Sequence, residues 1–135
     1  MNASIDRVAI TDFIRRYSGD FKVSTVSGMT QYFCDQVTTV HDNEVSQYSS
    51  SAEFVESITQ SLMPLVEEGF SHTVLDEIHI HPLRDNSIFI SANYSRLNTA
   101  GGLFAKVGAS YVVIQDDGEF KIAVILGQDL DNLIR

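Results

Sequence analysis

The sequence predicts an α+β domain in which helical segments come first and a long antiparallel meander closes the chain. Two observations carry this reading. Three β-rich runs, Ser87 to Asn98, Leu103 to Gln115 and Glu119 to Gly127, are separated only by Thr99-Ala100-Gly101-Gly102 and Asp116-Asp117-Gly118, connections of hairpin length. Before them the apolar residues recur mainly at helical spacing, interrupted by a short β-branched run. With 135 residues and no linker, repeat or low-complexity tract, a single domain over 1–135 is expected.

Composition narrows the class. A hydrophobic fraction of 44% and a charged fraction of 20% are ordinary for a globular protein. The net charge is −9, and the 9 basic residues are scattered with only Arg15-Arg16 adjacent, which argues against a nucleic-acid partner. Cys34 is the sole cysteine, so no internal disulfide forms and a reducing compartment is suited. Asp35 beside it opposes a thiolate, and Cys34 reads as a small buried hydrophobe. No basic stretch followed by an apolar run opens the chain, and no run approaches the roughly 18 apolar residues of a membrane span. A cytoplasmic protein without membrane contact is expected, in which the Asn2-Ala3-Ser4 and Asn93-Tyr94-Ser95 sequons carry no meaning.

Each element has its own signal. Ser4 is positioned to cap a first helix, with Asp6 in its first turn and Ile5, Val8, Ala9, Phe13, Ile14 and Tyr17 on one face. Ser18-Gly19-Asp20 ends it. A second helical segment is expected from Phe21 to Asp35 with Val26, Met29, Tyr32 and Phe33 inward, weakened by Gly28. Val37 to His41 reads as a short strand, Asp42-Asn43-Glu44 as a turn, and Val45 to Tyr48 as its partner. Ser50 with Glu53 matches a capping box, and Val55, Ile58, Leu62, Leu65 and Val66 form the inner stripe of a third helix. Pro64 is expected to kink or restart that helix, and Gly69 to close it. A strand from His72 to Leu83 then leads through Arg84-Asp85-Asn86 into the meander.

Alternation sorts the faces. Ile78 and Ile80 lie opposite Glu77, His79 and His81. In the next strand Ile88, Ile90, Ala92, Tyr94 and Arg96 share a face opposite Phe89, Ser91, Asn93, Ser95 and Leu97. Helices covering one side of the sheet place the aliphatic set inward, so Tyr94 and Arg96 end an otherwise apolar inner row.

Met29-Thr30-Gln31-Tyr32-Phe33-Cys34-Asp35, Ser91-Ala92-Asn93-Tyr94-Ser95-Arg96, Ala109-Ser110-Tyr111-Val112-Val113 and Asp117-Gly118-Glu119-Phe120-Lys121-Ile122 follow in an order that resembles the nuclear transport factor 2-like superfamily, including its SnoaL-like and ketosteroid isomerase-like branches. The resemblance implies a cystatin-like α+β roll: a cone-shaped curved antiparallel sheet wrapped around three N-terminal helices, with a pocket between them. It also implies a homodimer through the outer sheet face. It implies no particular reaction, because this scaffold hosts many.

Against that background, Tyr17 resembles the family's helix tyrosine in location, and Asp35 or His41 would occupy the region of a catalytic base. Tyr32, Tyr94, Arg96 and Tyr111 are the candidate ligand-binding residues. Arg96 can offer a donor fork to a carboxylate-bearing ligand or, alternatively, pair with Glu53 or Glu56. His79 and His81 share a strand face with Glu77, but alternate residues about 7 Å apart are wide for ligands of one ion, so no metal and no cofactor are expected. His41 and Asp42 are adjacent on a strand and point apart, which suits a turn-flanking pair better than a base and its orienter. Two functions stay open: a small-ligand-binding or interaction domain for a hydrophobic or anionic molecule, and an isomerase, cyclase or dehydratase acting on a hydrophobic, carboxylate-bearing substrate.

Overall fold

The structure, a computed structural model, describes residues 6–135. Helix α1 (Arg7–Gly19), a 3₁₀ helix (Val26–Tyr32), the hairpin β1 (Phe33–His41) and β2 (Glu44–Tyr48), and helix α2 (Ser51–Glu67) precede β3 (Phe70–Arg84), β4 (Ser87–Asn98), β5 (Leu103–Asp116) and β6 (Glu119–Gln128). The six strands form one open, curved sheet in the order β2-β1-β6-β5-β4-β3. β1 joins β6 in parallel, whereas the other neighbours pair antiparallel. The α+β roll with three helices ahead of the long strands is the architecture the residues imply.

The meander follows its sequence signals closely. Asp117 and Gly118 both take left-handed φ values, +50° and +78°, which a tight hairpin turn twisted like its strands requires. Curvature comes from register shifts. β3 and β4 slip at Phe70/His72, at Leu75/Glu77 and at Pro82/Arg84, and extra residues of this kind bend the strand that carries them.

Four expectations need correction. Helix α1 is capped by Asp6, whose carboxylate accepts from the Ala9 N–H at 3.0 Å, while Ser4 and Ile5 lie outside the described residues. Val8 is 73% exposed, and Ile10 is fully buried instead, because Ile10, Phe13, Ile14 and Tyr17 are the residues spaced for a single stripe. The second segment is a short 3₁₀ helix rather than a helix from Phe21 to Asp35. Its Val26, Met29, Tyr32 and Phe33 are buried as expected, but Gly28 and the surrounding Ser and Thr residues supply little helix propensity. Phe33 is drawn into the sheet opposite Ile122. Helix α2 passes through Pro64 to Glu67 without a break. Gly69, at φ +106°, then turns the chain into β3.

Only half of the capping box forms. The Ser50 hydroxyl accepts from the Glu53 N–H at 3.1 Å, but the Glu53 carboxylate accepts from the Ser49 hydroxyl at 2.7 Å.

The inner face of the sheet carries the core: Ile88, Ile90, Ala92, Tyr94, Tyr111, Val113 and Ile122 are buried against Ile10, Phe13, Ile14, Met29 and Leu62. The outer face is partly covered by the chain itself. After β6 a turn at Leu130–Asn132 lays the C-terminal residues across β3 and β4. There the Ile134 N–H donates to Ser91 Oγ at 3.0 Å, Asn93 donates to the Leu130 carbonyl at 3.3 Å, and His81 lies 3.1 Å from the Ile134 carbonyl. Among the described residues, no helix is long and apolar enough to cross a membrane.

Candidate functional site

Between α1, α2 and the inner sheet face lies a cavity of about 730 Å³, within the size range of small-molecule sites. Met29, Phe54, Ile58, Val107 and Ile125 give it apolar walls; Tyr17, Tyr94, Arg96 and Tyr111 supply polar groups. His41, Lys106, Asp129 and Asp131 also border it and are exposed, forming a charged rim.

The tyrosines meet because of what lies between them. Ala92 pairs with Ala109 across β4 and β5, with Tyr94 opposite Val107 on one side and Tyr111 opposite Ile90 on the other. The small alanines leave room for the two rings to lean together, and the hydroxyls of Tyr94 and Tyr111 hydrogen-bond at 2.8 Å. Tyr17 reaches in from α1, its ring edge-on to that of Tyr111 at 5.6 Å. Burial pushes the Tyr17 hydroxyl up to about 12 and raises those of Tyr94 and Tyr111 further. All three are neutral hydrogen-bonding groups near neutral pH.

Arg96 sits beside this cluster. Its guanidinium lies 5.4 Å from the Phe21 ring centroid and 5.9 Å from that of Phe70, an arrangement that favours a cation against aromatic faces. Burial lowers its pKa, and the neighbouring Tyr17 and Tyr111 oppose that. The Arg96 Nε is enclosed without a hydrogen-bond partner, and so is the hydroxyl of Thr73, its cross-strand partner on β3. No salt bridge to Arg96 forms among the described residues; Glu53 is held by Ser49, and Glu56 is exposed.

Thr73 is the cavity residue that strand alternation misses. Counting back by twos from Ile78 places Asp76 and Val74 inward. The slip between Leu75 and Glu77 reverses the parity, so Leu75 faces Tyr94 and Thr73 faces Arg96. Only the unusual length of the strand hinted at a bulge.

The remaining candidates lie elsewhere. Tyr32 is buried but does not line the cavity; its hydroxyl donates to Asp20, and burial followed by that carboxylate raises it to about 12. Asp35 is exposed on β1, away from the cavity. His41 stands at the rim with its side chain 80% exposed, 3.7 Å from Asp42. His79 contacts Glu77 at 2.6 Å on the outer face, and Arg135 lies 3.5 Å from the same carboxylate. Among the described residues no three His, Cys, Asp or Glu side chains gather as a metal site. Burial raises the Cys34 thiol.

A roll of this kind, with a helix-roofed cavity on the concave side of its sheet, defines a class of small α+β scaffolds. Residues 6–130 match the family model described as NTF2-like protein (DUF6841), and the chain belongs to that family. No curated protein matches it. Solved structures share the fold at low identity. A protein of unknown function with a cystatin-like fold from Nostoc punctiforme is 10% identical, with 98% of both chains covered and a TM-score of 0.74. An NTF2-like protein with a cystatin-like fold from Novosphingobium aromaticivorans is 13% identical, covering 94% of this chain and 83% of that one at a TM-score of 0.73. Aln2 from a Streptomyces species is 11% identical, covering 92% and 90% at a TM-score of 0.70.

Proposed function

We propose that this domain binds a small, mainly apolar molecule in the cavity between its helices and the curved sheet. The observation that carries the reading is the pairing of a cavity of about 730 Å³ with apolar walls and a few convergent polar groups, the tyrosine hydroxyls and Arg96, a combination suited to holding and orienting a ligand. Binding is favoured over acid–base catalysis because Asp35 stands away from the cavity and His41 only borders it, with its side chain 80% exposed. The lone, half-buried Cys34 fits a cytoplasmic setting.

The homodimer remains a proposal with a modified surface. A partner approaching the outer face meets the C-terminal residues over Ser91 and Asn93 as well as the strands. Sedimentation velocity over a concentration series tests this, and a monomer throughout would remove the dimer from the account.

A thermal-shift screen of small aromatic and aliphatic compounds tests the ligand reading when wild type is compared with Ala109→Phe, which fills the cavity from its wall. A compound that raises the melting temperature of the wild type and not of the folded variant is the expected result. Equal shifts in both would contradict it.

A further inference from the structure

We propose that Arg96 and Thr73 form the head-group subsite of this cavity and that its ligand is a monocarboxylate with an apolar body. The inference rests on the cavity being a ligand site and adds what that ligand must carry. Two buried polar atoms without partners, Arg96 Nε and Thr73 Oγ1, belong to one cross-strand pair, and both residues line the same void. Buried polar groups are ordinarily paired, so two orphans side by side require an explanation. The third orphan, Asn93 Oδ1, belongs to the outer row and lies apart.

The two groups are complementary to a carboxylate. Arg96 Nε can only donate, and the Thr73 hydroxyl donates as readily as it accepts. Side chains of an opposed strand pair lie about 5 Å apart at Cβ, within reach of the two oxygens of a single carboxylate. Phe21 and Phe70 pack on each other and both border the guanidinium, without consuming its donors. The apolar body would then extend over Met29, Phe54 and Ile58.

Charge limits the head group to one negative unit. Arg96 is the cation of the buried region, and the tyrosines beside it are neutral donors. Asp129 and Asp131 at the rim disfavour a second negative charge. A phosphate-like dianion would bury a second negative charge beside a single buried cation, with the exposed Lys106 at the rim outnumbered by Asp129 and Asp131.

Isothermal titration of the full chain with hydrocinnamate, hydrocinnamyl alcohol and phenethyl phosphonate at about pH 9, where the phosphonate is a dianion and the carboxylate a monoanion, tests the proposal. Hydrocinnamate is expected to bind wild type at least about tenfold more tightly than the alcohol, as a charge-assisted hydrogen bond implies, and the phosphonate no more tightly than the alcohol. Thr73→Val and Arg96→Gln should each weaken hydrocinnamate by about tenfold and the alcohol by less, so that the preference for the carboxylate over the alcohol falls in both. Equal binding of carboxylate and alcohol by wild type would overturn the head-group subsite and leave the ligand cavity standing. Binding of the phosphonate as tightly as hydrocinnamate would overturn the monoanion requirement. Binding of none would overturn both readings. If Arg96→Gln fails to fold, Thr73→Val decides, and undiminished hydrocinnamate affinity there overturns the proposal.

Discussion

Tyr111 is the residue on which the tyrosine cluster turns, since Tyr94 bonds to it at 2.8 Å and the Tyr17 ring packs edge-on against it from the opposite element. Replacing it by phenylalanine keeps the ring packing and strands the Tyr94 hydroxyl, which should cost about 1–3 kcal/mol in chemical denaturation. Tyr94→Phe/Tyr111→Phe should recover part of that loss, because both ends of the bond are then apolar. The same cluster sets an alkaline limit. Tyr17 is raised in the folded state from its ordinary 10.0 to about 12, and Tyr94 and Tyr111 are raised too. The unfolded chain therefore releases these protons first, and the stability they confer is whole below pH 10 and lost as pH rises through the folded values. Tyrosinate absorbance should appear together with loss of near-ultraviolet circular dichroism above pH 10; reversible ionisation of all the tyrosines near their ordinary value in a folded chain would contradict the geometry. Tyr94 and Arg96 were legible as an inward pair from alternation alone. Asp35 was not correctly legible, because its segment reads as helix until Phe33 is seen paired with Ile122 in the sheet.

At the scale of elements, the long strands declare themselves and the short ones do not. β4 spans Ser87–Asn98, the expected range, because hairpins join it to its neighbours on both sides. The 3₁₀ helix has no comparable local support, and its identity is set by β1 pairing with β6, a contact far away in sequence. Thr73 was hidden by the bulge that reverses parity in β3. Two glycines should respond oppositely to alanine. A Cβ on Gly28 meets nothing within 4 Å, so Gly28→Ala should stabilise by about 0.4–1 kcal/mol through the unfolded chain. A Cβ on Gly108 would sit 3.0 Å from Asn93 Oδ1 and 3.1 Å from the Gln128 carbonyl oxygen, where the sheet cannot yield cheaply, and Gly108→Ala should cost about 1–3 kcal/mol. Equal melting temperatures for the two variants would count against the described packing of β5 on β6.

For the whole molecule, the two faces of the sheet have different tasks. The concave face encloses the cavity, and the convex face holds the C-terminal residues through Ser91, Asn93 and His81. The Ser91 and Ser110 hydroxyls, 3.0 Å apart, and Gln128 lie beneath that segment. The covering was not legible because the residues beneath it are small and polar, which reads as a solvated face until the strap is placed on it. The proposed ligand would occupy the cavity, beside Tyr17, Arg96 and Tyr111. The most direct test is a heteronuclear NMR titration of the wild-type chain with hydrocinnamyl alcohol. Saturable shifts concentrated on the amides of Tyr17, Met29, Tyr94, Tyr111 and Ile125 are the predicted result. Shifts concentrated instead on Ser91, Ser110 and Leu133 of the outer face, or no saturable shift at any amide, would contradict it.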